Sequence, residues 1–321
     1  MACFQGLAVG DAVGKQTETL SRADVLRWYP DGIAGFEGTP GTVIPRYADT
    51  RYEWKIAEIT DDTEQTIAVA KALLRPEAGH AVIGTELMRC TRSVHPGVRV
   101  WDFQQSGDPA RIAHEGDGCG AAMRVSPVGI VNSPDAWTAI ANAAFQSSIP
   151  THGGQFAICA AAAVAGAVAA AVEGYDVPRV LHTAVQAARC AEAFRRPARN
   201  ARVGDLIPAL CDQLSGRKSL SADDIAENWF PNRPACIVPL AVALALVTQS
   251  AERTALLAAN VGGDADSVAS IGSAIAGALR PDSVREDWFL AVHSINRREC
   301  EALMPLAIAL ANQRLRTQSD A

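Results

Sequence analysis

Residues 156–172 read FAICAAAAVAGAVAAAV, an uncharged stretch about as long as the shortest membrane-spanning helix. Its composition argues against a membrane span. Alanine is only weakly apolar and is the best helix former, and the stretch has neither aromatic residues at both ends nor an asymmetric Lys/Arg flank. We therefore expect a helix buried in the middle of a bundle.

Further alanine-rich stretches on either side extend this pattern through most of the chain. They cover residues 63–74, 136–146, 155–172, 180–194, 236–248 and 268–279. Aromatic residues make up only 6% of the chain and β-branched runs are rare, so no segment resembles a sheet strand. The sequence predicts an all-α fold, with Asp135 and Ser221 as N-caps and Gly174 as a C-cap. Residues 29–49 and 95–120 carry Gly and Pro and are the predicted long loops.

Composition and charge narrow the class of protein. Hydrophobic residues make up 49% and charged residues 20% of the 321 residues, which is typical of a globular protein. The net charge of −6 argues against a partner such as duplex nucleic acid or an anionic membrane, because both require a basic surface. The eight cysteines show no CxxC spacing, and no N-terminal signal sequence is evident. We expect reduced thiols, a cytoplasmic location and one domain over residues 1–321.

Two acidic residues stand at the start of a predicted helix, in the sequence ITDDTEQT of residues 59–66. Thr, Asp and Glu favour helix N-termini because they accept hydrogen bonds from free N–H groups and interact with the helix dipole. Taken alone, helix capping therefore explains Asp61 and Asp62 better than metal binding does. This segment alone favours capping, with metal binding as the alternative.

A second acidic helix start, NVGGDADS at residues 260–267, changes that balance. Gly262 and Gly263 allow a tight turn, and Asp264, Asp266 and Ser267 then offer two carboxylates and a hydroxyl within a short arc. If the two helix starts meet, their four carboxylates repel one another unless cations lie between them. Hard oxygen ligands of this kind suit magnesium, manganese or calcium better than zinc.

The N-terminal segment contributes glycines at a four-residue interval and one further carboxylate. Gly6, Gly10 and Gly14 would lie on one face of a helix and permit close contact with a second helix. A phosphate-binding glycine loop is rejected, because no strand precedes the segment and it lacks a GKS or GKT ending. Packing does not explain Glu18, which is either an exposed carboxylate or part of a site.

In this order and at this separation, these segments resemble the motifs of the ADP-ribosylglycohydrolase family. The matching segments are GLAVGDAVGKQTE at residues 6–18, TDDT at 60–63, GCGAAMRVSP at 118–127, TH at 151–152 and GGDADS at 262–267. The resemblance spans about residues 4–280.

The resemblance implies an orthogonal multi-helix bundle whose cleft binds two divalent cations, Mg²⁺ or Mn²⁺. By motif, one cation would be bound by Thr60, Asp61 and Asp62 and the other by Asp264 and Ser267, while Asp266 would contact both. Glu18 would lie on a mobile loop and contact a metal or the ribose. The general base would be Asp62 or, as second choice, Glu18.

The resemblance also implies which residues contact the substrate. These are Glu18, Gly118, Gly120, Met123 and His152. From the residues alone, His152 is equally well explained as a cap or core histidine, and Met123 is better explained as a core residue. Arg124 either binds a phosphate or an acidic ligand residue, or forms a structural salt bridge. Asp117 adds a negative charge that would disfavour a diphosphate beside it.

Three functions remain open at this point. The first is removal of ADP-ribose from a protein side chain or another acceptor. The second is hydrolysis of a free or modified nucleoside, for which aromatic residues of the first loop region could stack on the base. These aromatic residues are Trp28, Tyr29, Tyr47, Tyr52 and Trp54. The third is an inactive ADP-ribose-binding module, which is disfavoured because every acidic ligand position is retained.

Overall fold

The computed structural model describes residues 1–36, 55–92, 99–196, 201–217 and 219–319. Within these ranges the chain forms α-helices and short 3₁₀ turns and no β-strand, so the predicted all-α class is confirmed. The helices are α1 (Ala2–Gly14), α2 (Arg22–Trp28), α3 (Asp61–Leu73), α4 (His80–Leu87), α5 (Arg99–Gln105), α6 (Gly120–Met123), α7 (Ser126–Val131), α8 (Trp137–Ser148), α9 (Gln155–Val172), α10 (Val177–Ala191), α11 (Val203–Ser215), α12 (Ala222–Trp229), α13 (Pro234–Thr248), α14 (Ala251–Val261), α15 (Ala265–Leu279), α16 (Glu286–Ile295) and α17 (Arg297–Ser319).

The alanine-rich helix α9 lies at the centre of the bundle. It packs against α6, α7, α8, α10, α13 and α15. Helix α9 is long and apolar enough to cross a membrane by length and composition alone, but 89% of it is buried inside the protein. Alanine side chains let neighbouring helices approach closely on every side, which matches the predicted buried position.

Close packing between α1 and α15 depends on the glycines spaced four residues apart. A methyl group added at Gly6, Gly10 or Gly14 would lie 2.3 Å from a backbone carbonyl oxygen of residues 265–273. No side chain fits at that distance, so the glycines set the separation of the two helices. The predicted close helix contact is therefore observed. It brings the C-terminus of α1 to the N-terminus of α15, where the second acidic segment lies.

The helix ends mostly follow their sequence signals. Ser221 forms a capping box with Asp224, and Gly174 follows α9 with a φ of +83°. The predicted cap at Asp135 is wrong, because its carboxylate accepts a hydrogen bond from the hydroxyl of Tyr175. The predicted loop at residues 95–120 is also partly wrong, since it contains α5. The structure describes only part of the other predicted loop, residues 29–49.

Candidate functional site

The start of α3 is held in place by a carboxylate from α1. Asp11 is fully buried and accepts hydrogen bonds from the backbone N–H groups of Thr60 and Thr63 at 3.0 and 3.1 Å, and from the hydroxyl of Thr63. Thr60 is the N-cap, and its hydroxyl accepts from the N–H of Asp62. Asp11 and Thr60 together accept from the amides of Thr60, Asp62 and Thr63 at this helix end, so the carboxylate of Asp62 does not act as a cap.

The start of α15 is built differently. Gly262 and Gly263 have φ values of +86° and +71°, a region in which only glycine is free of strain, and they turn the chain into the helix. Asp264 occupies the N-cap position but makes no side-chain cap bond. Its Oδ2 instead accepts from the thiol of Cys119 at 2.9 Å, and Ser267 Oγ lies 3.7 Å from the same sulfur.

Backbone hydrogen bonds join the segment after α1 to the turn that enters α15. The N–H of Thr19 donates to the carbonyl of Gly263 at 2.6 Å, and the N–H of Gly263 donates to Leu20 O at 2.8 Å. Thr19 has a φ of +68°, an unusual value for a β-branched residue. Glu18, just before it, is buried and forms an ion pair with Lys15. The turn thus fixes the backbone beside Glu18 against the second acidic segment.

These segments meet on a cavity of about 680 Å³, a size typical of small-molecule sites. Its lining residues are Glu18, Thr19, Ser21, Asp61, Asp62, Gln65, Val100, Gly116, Asp117, Gly118, Cys119, Gly120, Met123, His152, Phe230, Pro231, Asn232, Ile237, Gly263, Asp264, Asp266 and Ser267. Every residue to which the family resemblance assigned a metal, catalytic or substrate contact is among them except Thr60. Thr60 instead lines a smaller cavity of about 330 Å³, and its hydroxyl accepts from the amide that it caps.

Two carboxylates of the cavity are buried with an unsatisfied oxygen. Asp62 is 1% exposed and Asp266 4% exposed, and the Oδ1 atom of each has no hydrogen-bond partner among the described residues. An unpaired buried carboxylate oxygen loses its hydration without compensation and destabilises the fold. Neither residue is explained by helix capping.

The electrostatics of the cavity reflect this crowding. Burial, followed by the charges of Asp11, Asp61 and Asp264, raises the pKa of Asp62 well above its ordinary value. Burial also raises the pKa of Asp266 well above its ordinary value. The charges of Glu18, Asp264 and Asp62 add to this shift, and Lys15 opposes it. The site as it stands favours protons on these carboxyls, or a positive charge placed between them.

The described part of the chain holds no group of three or more His, Cys, Asp or Glu side chains already spaced to hold a metal ion. One carboxylate oxygen of Asp264 is already used, because it accepts a hydrogen bond from the thiol of Cys119 in the loop opposite. The predicted ligand sets also include hydroxyls, from Thr60 and Ser267, which are not among those residue types. The acidic residues line one cavity, but in this structure their side chains are not close enough together to coordinate a metal ion.

The loop at residues 116–120 and the residue pair before α9 form another wall of the cavity. His152 is buried, and its ring packs against the glycines of the loop. A methyl group at Gly118 would lie 3.1 Å from His152 Nε2, and one at Gly120 would lie 2.7 Å from Cε1. The glycines therefore allow the loop to lie against the edge of the imidazole. Met123 is buried and also contacts the cavity.

Among the described residues, Arg124 makes none of the direct contacts that were considered from sequence. It is 0% exposed and does not line the cavity, so it offers no phosphate contact. Its guanidinium donates to neutral acceptors, Gln65 Oε1, Ser147 O and Thr151 Oγ1, each at 2.8 Å, rather than to a carboxylate. Burial lowers the pKa of Arg124 to about 10, so it remains charged at neutral pH.

Asp117 also differs from its sequence interpretation. Its Oδ1 accepts from the backbone N–H groups of Phe156 at 3.1 Å and Ala157 at 3.4 Å, at the start of α9. The helix dipole and these amides compensate its charge, although the residue still lines the cavity. Its effect on a neighbouring anion is therefore weaker than an isolated carboxylate would have.

Several residues of the site were missed from sequence. Asp11 lies within the N-terminal motif but was assigned no role, and its signal was that it is the single charged residue of helix α1. Phe230, Pro231 and Asn232 connect α12 to α13 and line the cavity. Pro231 O accepts from the N–H of Asp264 at 2.8 Å, which ties this connection to the second acidic segment. No local sequence signal marks that contact, because it joins segments distant in the chain.

The aromatic residues proposed to stack on a base receive little support. Trp28 is exposed, and the hydroxyl of Tyr29 donates to Gln16 O; neither lines the cavity. Tyr47, Tyr52 and Trp54 lie outside the described residues. Among the residues described, the aromatic side chain that does line the cavity is Phe230, which was not considered from sequence.

One comparison with known proteins identifies a family, and the others give similar sequences and a similar fold. A sequence model of the ADP-ribosylglycohydrolase family matches residues 1–319. An uncharacterized protein of Archaeoglobus fulgidus is 29% identical over 313 residues, covering 89% of this chain and 88% of its own. The uncharacterized protein YegU of Escherichia coli K12 is 27% identical over 299 residues, covering 87% and 86%. A solved structure described as an ADP-ribosylglycohydrolase-related protein complex superimposes with a TM-score of 0.68 at 22% identity, covering 98% of this chain and 96% of that one, and supports the fold.

Proposed function

The chain belongs to the ADP-ribosylglycohydrolase family, and we propose that it is a divalent-cation-dependent hydrolase that releases ADP-ribose from a protein or another acceptor. Family membership points to a glycosidase-type hydrolase, and the proposal adds the cations, the bond and the substrate. One observation carries it: Asp62 and Asp266, from separate helix starts, share a cavity and each has an unsatisfied buried oxygen.

The donor set fits hard divalent cations. Carboxylates of Asp61, Asp62, Asp264 and Asp266 line the cavity with the hydroxyl of Ser267, and oxygen ligands of this type suit Mg²⁺ or Mn²⁺. A cation would give the two unsatisfied oxygens a partner and reduce the repulsion that raises the pKa of Asp62 and Asp266. We propose Thr60, Asp61 and Asp62 for one cation, Asp264 and Ser267 for the other, and Asp266 for both.

Two cations, when bound, would supply fixed positions for ribose hydroxyls and a lowered pKa for a water molecule. The protein's own carboxylates then have two tasks. Asp62 is the proposed base that accepts the proton of the water, because it lines the cavity and is not used as a helix cap. Glu18 is the second choice, since it is already paired with Lys15. The remaining carboxylates stabilise positive charge on the sugar ring as the leaving group departs.

The opposite wall would hold the rest of the substrate. Gly118 and Gly120 keep the loop free of side chains, so its backbone can approach a ligand closely. His152 lies against that loop and would contribute a ring nitrogen, and Met123 an apolar contact. Together with Glu18 these are the proposed substrate contacts.

A second candidate, hydrolysis of a free or modified nucleoside, is favoured by a specific feature of the cavity. Its described lining contains six acidic side chains and no Lys or Arg. The negative charge of a diphosphate would therefore be stabilised only by the amides of the loop at residues 116–120 and by His152 among the described lining residues. Phe230 and Ile237 form an apolar wall that would suit a base. An inactive ADP-ribose-binding module is disfavoured, because all four aspartates remain at the acidic positions.

A turnover assay separates these functions. The full chain, with Mg²⁺ or Mn²⁺ and with chelator as control, is given an ADP-ribosyl-arginine protein and a panel of ribonucleosides. Chelator-sensitive release of ADP-ribose supports the first proposal. Release of ribose from nucleosides alone replaces it with the second, and binding of ADP-ribose without turnover of either substrate class supports the binding module.

A further inference from the structure

A hydrogen-bonded chain centred on buried Arg124 connects the two walls of the cavity. On one side, Arg124 donates to Gln65 Oε1 at 2.8 Å, and Gln65 Nε2 donates to Asp61 Oδ2 at 2.7 Å. On the other, Arg124 donates to Thr151 Oγ1 at 2.8 Å, and Thr151 Oγ1 lies 2.7 Å from His152 Nδ1. Asp61 and His152 both line the cavity, whereas Arg124 does not.

The positions of the protons along the His152 side follow from the available donors. A guanidinium can only donate, so Thr151 accepts from Arg124 and must direct its own hydroxyl hydrogen elsewhere. Thr151 is 2% exposed, and within the described ranges the acceptor in reach is His152 Nδ1. Donation to Nδ1 leaves that nitrogen unprotonated and places the ring proton on Nε2.

The other ring nitrogen faces the glycine loop. The Nε2 atom would lie 3.1 Å from a methyl group at either Gly118 or Gly120, so this edge of the ring lies against the loop that lines the cavity. His152 therefore presents an N–H group at this wall, and such a group recognises a hydrogen-bond acceptor on the substrate.

On the Asp61 side, the guanidinium of Arg124 determines the orientation of the Gln65 side-chain amide. Gln65 must turn its oxygen towards Arg124, so its NH₂ group faces Asp61. The Asp61 carboxylate is thereby held by a donor from the next turn of its own helix. Residues that orient a metal ligand in this way commonly change metal affinity when they are replaced.

We propose that Arg124 is a positioning residue that orients Asp61 through Gln65 and fixes His152 as an Nε2–H donor through Thr151. The inference deepens the proposed function, because it specifies how that site holds one cation ligand and which group of the substrate His152 recognises. It selects an acceptor, such as a phosphate or sugar oxygen, over a donor at this position.

The tautomer is tested on the full chain labelled with ¹⁵N-histidine, in a two-bond ¹H–¹⁵N correlation spectrum at mildly alkaline pH. His152 is assigned by the signals lost in His152→Gln. We expect an imine-type shift for Nδ1 and a pyrrole-type shift for Nε2. A pyrrole-type Nδ1 in the wild-type protein overturns the proposal, and this result needs no variant beyond the assignment.

Paired variants separate the two sides. Thr151→Val removes only the relay hydroxyl and is expected to mix the two His152 tautomers, with Mn²⁺ affinity unchanged. Gln65→Leu is expected to weaken Mn²⁺ binding about tenfold and leave the tautomer unchanged. Arg124→Lys, which retains the charge but not the forked donors, should alter both. Ser148→Ala removes a nearby buried hydroxyl that donates to Ala144 O, and is the control for which neither readout changes.

A purely structural Arg124 predicts a different outcome, in which all these variants lose thermal stability together and the two readouts do not separate. That result overturns the proposal. Thr151→Ser retains the hydroxyl and should restore the wild-type tautomer and KM, whereas Thr151→Val should raise KM about three- to tenfold with a smaller change in kcat. If the wild-type protein binds no Mn²⁺ but shows the expected tautomer, the proposed function fails while the His152 assignment stands.

Discussion

The helices α3 and α15 both begin with a pair of aspartates, yet the two starts are built from different parts. At α3, Thr60 caps the helix and Asp11 reaches across from α1 to accept three further hydrogen bonds from Thr60 and Thr63. At α15, two glycines with positive φ turn the chain, and Asp264 bonds to the thiol of Cys119 instead of capping its own helix.

Acidic residues at the two helix starts therefore have different roles, only some of which are capping. Capping accounts for Thr60 at the first helix, and at the second helix the N-cap residue Asp264 makes no side-chain cap bond. Helix capping does not account for Asp62 or Asp266, each of which keeps a buried oxygen without a hydrogen-bond partner among the described residues. A buried carboxylate that serves no cap lowers stability, and functional sites are where such costs are retained.

The largest expected effect comes from removing the charge at either start. Asp62→Asn and Asp266→Asn should each lower turnover by about a thousandfold or more, because they remove a proposed cation ligand and, for Asp62, the proposed base. Glu64→Gln is the matched control, since Glu64 stands in the same first turn of α3 but accepts from Thr91 and Arg92 outside the cavity. Steady-state rates with Mg²⁺ or Mn²⁺ measure the effect. Full activity in either Asn variant would refute the two-cation mechanism.

The glycine contact that sets the position of α15 gives the next effect. A methyl group at Gly14 would lie 2.3 Å from Ala265 O and 2.6 Å from the Cα of Asp266. Gly14→Ala should therefore cost about 1–3 kcal/mol of unfolding free energy and displace the second acidic start. Gly79→Ala is the control, because nothing lies within 4 Å of its added methyl group. Chemical denaturation and turnover are measured together, and equal behaviour of the two variants would contradict the packing account.

The stability of the cation-free protein should depend on pH in a stated direction. The folded state holds protons on Asp62 and Asp266 to higher pH than the unfolded chain does, because the pKa of each is raised on folding. The unfolded chain then binds fewer protons, so the contribution of these groups to stability falls as pH rises above about 4.

The same two substitutions test this at neutral pH. In chelator, Asp62→Asn and Asp266→Asn should raise the unfolding free energy by about 1–3 kcal/mol and flatten its decline with pH. Saturating Mn²⁺ should stabilise the wild-type protein, so that its unfolding free energy then exceeds that of the two variants. Thermal unfolding across pH, with and without chelator, follows both changes. Lower stability of both variants in chelator would show that the two carboxylates stabilise the fold.

The smallest expected effect on stability comes from replacing the residues that hold the two helix starts in place, Asp11 at α3 and Cys119 at α15. Asp11→Asn removes the charge that serves the free amides of α3, with an expected cost of about 1–2 kcal/mol. Cys119→Ser retains a donor to Asp264 and should cost less. Metal titration should show the Asp11 change acting on one cation only. Equal loss at both cations would mean that the two starts form a single unit.

The sequence predicted most of the helices and the segments of the candidate site, but it did not predict the residues whose roles depend on distant partners. Alanine-rich periodicity and the glycine interval predicted the helices and the α1–α15 contact, because these are local patterns with local causes. The motifs predicted the segments that meet on the cavity. Asp11, Arg124 and Phe230 act through partners far along the chain, and no local pattern reports such a partner. The cap predicted at Asp135 failed because a tertiary contact with Tyr175 replaced a local one.

The central claim is that Asp62 and Asp266 jointly hold divalent cations between two helix starts. Titration of the chelator-treated full chain with Mn²⁺, followed by electron paramagnetic resonance of the free ion, tests it directly. We expect two bound Mn²⁺ per chain in the wild-type protein and in Glu64→Gln, and fewer in Asp62→Asn and Asp266→Asn. Absence of Mn²⁺ binding, or the same stoichiometry in all four proteins, would contradict it.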